Sequence, residues 1–150
     1  MKTIQLDASG KIPSKILKQY GGPYSFLKKA FVSGISLAGL EYKPETADHA
    51  DRKVSHFEKL QDGLAIRVNM GQKSICFLFS FTEIQKIRLM VAALSDMKKA
   101  DHSGKRVGYL SLSNGQEKLQ FFVPYSKVGE TAKYFEAIEF TSVFELCDKG

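Results

Sequence analysis

Thr82-Glu83-Ile84-Gln85-Lys86-Ile87-Arg88-Leu89-Met90-Val91-Ala92-Ala93-Leu94 decides the fold, because it reads in two ways. Ile84, Ile87, Val91 and Leu94 fall at helical spacing, and Met90 to Leu94 are strong helix formers. Ile87, Leu89 and Val91 equally share one face of a strand. The reading adopted is a short turn at Thr82-Glu83-Ile84 followed by a strand. A long central helix here, flanked by parallel strands, would give a different fold class.

On the N-terminal side the pattern is clearer. Leu64, Ile66, Val68 and Met70 alternate with Arg67 and Asn69, as in a half-buried strand. Gly71-Gln72-Lys73 breaks it, and Ile75, Phe77, Phe79 and Phe81 alternate on a return strand. That second strand is apolar on both faces, which predicts a central position. On the C-terminal side, Ser95 to Arg106 reads as a basic loop. Leu110 and Leu112 then oppose Ser111 and Ser113, Asn114-Gly115 marks a hairpin, and Leu119, Phe121 and Val123 return before Pro124. Ser126 is placed to cap a closing helix to about Phe140, with Val128, Ala132, Phe135 and Ile138 as its apolar stripe.

The first third is harder to read. Pro13 to Tyr20 suits a short helix capped by Ser14 and stopped by Gly21-Gly22-Pro23. Tyr24 to Tyr42, punctuated by Gly34 and Gly39, reads as one or two strands, and Lys43 to Asp48 as a loop. No repeat or linker divides the chain, so one domain over residues 1–150 is expected. The fold class is thus mostly β (α+β): antiparallel strands closed by a C-terminal helix.

From Leu64 to Phe140 this order resembles the bacterial pleckstrin-homology-like domains. The likeness rests on the Phe-rich strand running into Phe81-Thr82-Glu83-Ile84-Gln85-Lys86-Ile87, on Gly108-Tyr109-Leu110-Ser111-Leu112 with the Asn114-Gly115 hairpin and Leu119-Gln120-Phe121-Phe122-Val123, and on the closing helix. Residues 1–63 are poorly matched. The resemblance implies a bent antiparallel sheet, or partly open barrel, of about seven strands, plugged at one end by the helix. It implies no catalysis.

Composition fits a globular chain: 43% hydrophobic and 25% charged residues, with 11 Phe and no Trp, which predicts a phenylalanine-rich core. The net charge is +6, with an excess of lysine in residues 1–40 and of acid in residues 129–150. Arginine stands only at Arg52, Arg67, Arg88 and Arg106, so bidentate phosphate recognition has few donors, and nucleic acid is not an expected partner. Cys76 and Cys147 are expected as reduced thiols. Met1 to Asp7 lacks a secretory h-region, and Phe31 to Leu40 is too short to span a bilayer, so a cytoplasmic location is expected.

Candidate chemistry is sparse. GxSxG and P-loop spacings are missing from the sequence. Cys76 sits among apolar residues that disfavour a thiolate. Asp48, His49, Asp51 and His56 are the candidate metal ligands, at a spacing that matches no specific signature. Lys98, Lys99, Lys105 and Arg106 form a basic loop able to touch an anionic lipid or phosphate ligand. Tyr20, Tyr24, Phe26 and Phe31, interleaved with Lys28 and Lys29, suit core packing better than base stacking. The leading expectation is a non-enzymatic interaction module that needs no cofactor and binds a protein partner or a second copy of itself. An anionic lipid surface is the first alternative, and a small metal-dependent enzyme the second.

Overall fold

The computed structural model describes residues 1–25, 34–44, 53–70, 73–93 and 106–148. Nine strands among them form one mixed sheet in the order β1-β5-β4-β3-β2-β8-β7-β6-β9. They are β1 (Lys2–Leu6), β2 (Ser36–Tyr42), β3 (Lys53–Lys59), β4 (Gly63–Asn69), β5 (Ser74–Ser80), β6 (Lys86–Ala93), β7 (Arg106–Ser113), β8 (Lys118–Val123) and β9 (Phe144–Asp148). Two helices accompany them, α1 (Ser14–Lys18) and α2 (Val128–Phe135). The expected strand count was about seven. β1 and β9 add one strand at each end of the sheet, which leaves it open.

The ambiguous stretch resolves as a turn and a strand. Phe81–Glu83 is a single 3-10 turn, and β6 follows. The turn is fixed by reciprocal capping: the Glu83 carboxylate accepts the Ser80 amide at 2.6 Å, and the Ser80 side chain receives the Glu83 backbone. Helix propensity at Met90 to Ala93 loses because β6 is paired on both sides, antiparallel to β7 and parallel to β9.

β2 to β5 form one antiparallel meander and β6 to β8 another. β2 joins them through a short ladder in which Glu41 faces Phe122 and Tyr42 faces Phe121. The inward side chains of both meanders enter one cluster, with Leu40, Phe57, Leu64 and Ile66 from the first and Ile87, Leu89, Leu110 and Phe121 from the second. Rings stitch them together: Phe57 and Phe121 lie 4.9 Å apart between centroids. Tyr42 on β2 reaches Phe77 on β5 at 5.4 Å. A flat sheet would hold those strands roughly 14 Å apart, at about 4.8 Å per spacing, so the sheet curls over its inner face. Gly39, at φ +90°, permits the register skip in β2 between Ala38 and Leu40 that bends this strand.

α2 packs on the inner face and buries Thr131, Tyr134 and Phe135. It is shorter than the expected helix to Phe140. Chain reversal through a 3-10 turn at Ile138–Phe140 releases the tail into β9. Lys127, not Ser126, stands at its N-cap, preceded by a 3-10 turn at Tyr125–Lys127. Ser14 is likewise not a cap: it is the first residue of α1, after Pro13.

A second, smaller core covers the opposite face of β4 and β5. Leu6, Ile12, Tyr20 and Leu60 close over Ala65, Cys76 and Leu78, with Ile4, Ile16 and Leu17 at its margin. That is why β5 is apolar on both faces, as the sequence suggested, and why β1 and α1 sit where they do. No helix among the described residues is long and apolar enough to cross a membrane.

Candidate functional site

The sequence-predicted metal set does not assemble among the described residues. Asp48, His49 and Asp51 lie outside them, and His56 is half-buried in β3, opposite Arg67 and Ala38. No group of three metal-ligating side chains occurs among the described residues. Of the expected basic loop, Lys98, Lys99 and Lys105 lie outside the described residues, and Arg106 opens β7. Tyr20 is buried in the second core, as core packing would have it, whereas Phe26, Lys28, Lys29 and Phe31 lie outside. Both cysteines are free. Burial pushes the Cys76 thiol up to about 11 despite the opposing pull of Arg67, so it stays protonated and inert at neutral pH.

The structure instead brings basic, polar and aromatic side chains together on the outer face of β6, β7 and β8. Because Ile87, Leu89 and Leu110 turn inward, their strand neighbours turn out. The ladder then sets outward residues in rows across the three strands. Lys86 faces Ser113, which faces Lys118; Arg88 faces Ser111, which faces Gln120; Met90 faces Tyr109, which faces Phe122. Lys43, just beyond β2, is tied in by its amide, which donates to the Gln120 carbonyl at 2.9 Å.

A hollow of about 290 Å³ lies over these rows, lined by Lys43, Arg88, Met90, Tyr109, Ser111, Lys118 and Gln120 among others. Its apolar end is set by ring packing, Tyr109 standing edge-on to Phe122 at 5.8 Å. Its basic end is held by β9: Arg88 Nε donates to Cys147 Sγ at 3.3 Å, and Lys86 pairs with Glu145 at 3.5 Å. Those contacts tune the charges. The bond to Cys147, reinforced by Glu145, raises the Arg88 pKa further. Hydrogen bonding to Cys147 and the charge of Lys86 lower that of Glu145. A larger hollow of about 930 Å³ runs beside α2, between Gly34, Ser36 and Lys133.

Sequence reasoning missed this cluster because Lys43, Arg88, Tyr109 and Lys118 are far apart in the chain and meet only through strand pairing. One signal was available. Met90 and Tyr109 are large apolar residues at outward positions of alternating strands, where solvent would favour polar ones. No protein-family model matches this sequence, and no curated protein matches it.

Proposed function

We propose that this chain is a non-enzymatic binding module of pleckstrin-homology-like architecture, whose ligand sits on the outer face of β6, β7 and β8. The observation that carries this reading is the hollow there: an apolar floor, neutral hydrogen-bonding groups and cations, all mounted on paired strands. Such a mixture of apolar surface with a few convergent polar groups is what small-molecule sites present. The family likeness is supported by the four-plus-three pattern of antiparallel strands, β2 to β5 and β6 to β8, followed directly by a helix. β1 and β9 are then additions to the plan, and residues 1–63 contribute β1, α1, β2 and β3.

The test is a thermal-shift screen against metabolites, nucleotides, phosphorylated sugars and short peptides. At a hundredfold excess over Kd, a ligand stabilises by about 2.7 kcal/mol, a rise of roughly 5–10 °C in Tm. One ligand class should raise Tm for the wild type and not for Tyr109→Ala, and the ligand should be recovered chemically unchanged. A screen without any hit, or a ligand returned altered, contradicts the reading. A second reading, self-association, is favoured by Leu146, which is 48% exposed on the terminal strand β9. It predicts a solution mass well above 16.8 kDa.

A further inference from the structure

Resting on the second reading, self-association, and not on the ligand reading, we infer that two copies of this chain join edge to edge through β9, antiparallel and about a two-fold axis at Leu146. Among the described residues β9 is paired on one side alone, in parallel with β6, and it ends the sheet. A strand edge left in this way presents amides and carbonyls to any strand that matches them. The other end of the sheet is guarded. β1 opens with Lys2, whose Nζ reaches Gln19 Oε1, at the end of α1, at 3.4 Å. Phe144 to Asp148 contain neither lysine nor proline, and Leu146 is exposed.

The register follows from the β9 backbone. The Ile87 amide donates to the Val143 carbonyl at 2.9 Å, and Ile87 stands beside Phe144. In a parallel pair, alternate residues turn both of their backbone groups the same way. Val143, Glu145 and Cys147 therefore bond towards β6, and Phe144, Leu146 and Asp148 offer their backbone groups to the open edge. Centring the pair on Leu146 sets Leu146 against Leu146 and Phe144 against Asp148 of the second copy, so every offered group is met. Centring it on Glu145 or Cys147 leaves Asp148 or Phe144 facing no strand residue, and the first choice also opposes two Glu145 carboxylates. Intermediate registers would set inward side chains of one strand against outward side chains of the other. The side chains agree with the Leu146 centre. Leu146 stands beside inward Leu89, so the two leucines meet on the inner side, next to Phe144, which packs on the main core. On the outer side Glu145 faces Cys147 of the second copy, whose sulfur already receives Arg88 Nε, so each Glu145 gains a second cation besides its own Lys86.

Sedimentation equilibrium over a wide range of protein concentration tests this. A strand edge of 5 residues is a small interface, so monomer at 16.8 kDa should give way to a species of twice that mass as concentration rises. Leu146→Pro should stay monomeric at the highest concentration. The N–H it removes faces the open edge, so the ladder with β6 stays whole. Leu146→Lys, which sets two ammonium groups against each other at the axis, should do the same, and it serves if the proline variant fails to fold. Val54→Lys, at a residue 61% exposed on β3, should dimerise as the wild type does. Cross-linking reads the register. With oxidised glutathione as the oxidant, Leu146→Cys in a Cys147→Ser background should form a disulfide-linked dimer, because Cα atoms of a hydrogen-bonded pair stand about 5.5 Å apart. Wild-type Cys147 should not, since an offset of two residues at ~3.4 Å each and one strand spacing of ~4.8 Å hold its Cα roughly 8 Å from its mate. A wild type that stays monomeric at every concentration overturns the inference and the self-association reading together. A dimer that survives both Leu146 variants, or that cross-links through Cys147, overturns the inference and leaves that reading standing. The ligand reading is decided apart from these, by the thermal screen with Tyr109→Ala.

Discussion

Lys59 is the residue whose environment departs most from its chemistry. It follows Ser55 and Phe57 on the inward side of β3 and is only 1% exposed. Its Nζ lies 3.6 Å from Glu139 Oε2 and over the rings of Tyr134 and Phe140, at 5.4 and 5.8 Å from their centroids. Removing one partner of a buried ion pair costs far more than replacing the charge with an apolar group of similar volume. Glu139→Ala is therefore expected to cost about 3 kcal/mol, since it strands the buried ammonium. Lys59→Met, which keeps the stem against the rings, should cost less than about 1 kcal/mol. Urea denaturation at pH 7 measures both, and equal losses would contradict this asymmetry. With polar Ser55 beside Phe57 on its face, sequence periodicity does not mark Lys59 as inward, and it shows nothing of the partners that make a charge tolerable there. Those arrive from a turn eighty residues later.

Glu83 sets a pH dependence. Burial raises its pKa, but the Ser80 amide, the Met1 ammonium at 3.0 Å and the Ser80 hydroxyl together outweigh that, so the folded value lies below the ordinary 4.5. A carboxyl depressed in the folded state contributes stability that is fully present above its unfolded pKa and is lost as pH falls through the folded one. Glu83→Gln should thus be less stable than wild type above about pH 5, with the gap closing as pH falls below about 4. Urea midpoints measured across that range read the difference, and a gap independent of pH would contradict it.

At the scale of elements, the legible parts were those with strict alternation and punctuation. β4, β5, β7 and β8, and the turn-then-strand reading as far as Ala93, all follow the sequence pattern. What was missed depends on remote partners. β9 is a short strand that pairs in parallel with β6, and nothing local distinguishes Phe144 to Asp148 from the end of an amphipathic helix. β1 is a five-residue strand held by β5, and its apolar Ile4 and Leu6 face a second core completed by Ile12 and Tyr20, on either side of α1, and by Leu60. The hairpin after β7 is real but longer than a two-residue turn. Ser113 pairs with Lys118, so the loop is 114–117, with Gly115 at φ +95°. Asn114 Oδ1 accepts from the amides of Gln116 and Glu117 at 3.1 and 2.8 Å. Asn114→Ala should then cost about 1 kcal/mol. Gly63→Ala, at the start of β4, should cost more, about 2–3 kcal/mol, because its Cβ would run into the Phe79 carbonyl and come within 3.0 Å of the Tyr20 ring. Thermal or chemical melts rank the two, and a milder effect at Gly63 would contradict the packing.

For the whole molecule, the sheet separates two cores, and its outer face at β6 to β8 is the one proposed for binding. The inner face of both meanders closes over Phe57, Phe121 and Phe135, and β1 with α1 covers the outside of β4 and β5. The outer face of β6 to β8 carries instead half-buried Met90, Tyr109 and Phe122 beside Arg88 and Lys118. The phenylalanine-rich core was visible in composition alone. The face proposed for binding was not, since its rows exist only once strand register is fixed, and a one-residue slip would reverse every side chain on it. The most direct measurement is a backbone amide shift map of the 15N-labelled protein, titrated with the strongest ligand from the thermal screen. Shifts concentrated at Arg88, Met90, Tyr109, Ser111 and Gln120, with β1, β4 and α1 unmoved, are predicted. Shifts centred on α2 or on β1 to β5, with β6 to β8 silent, would contradict it.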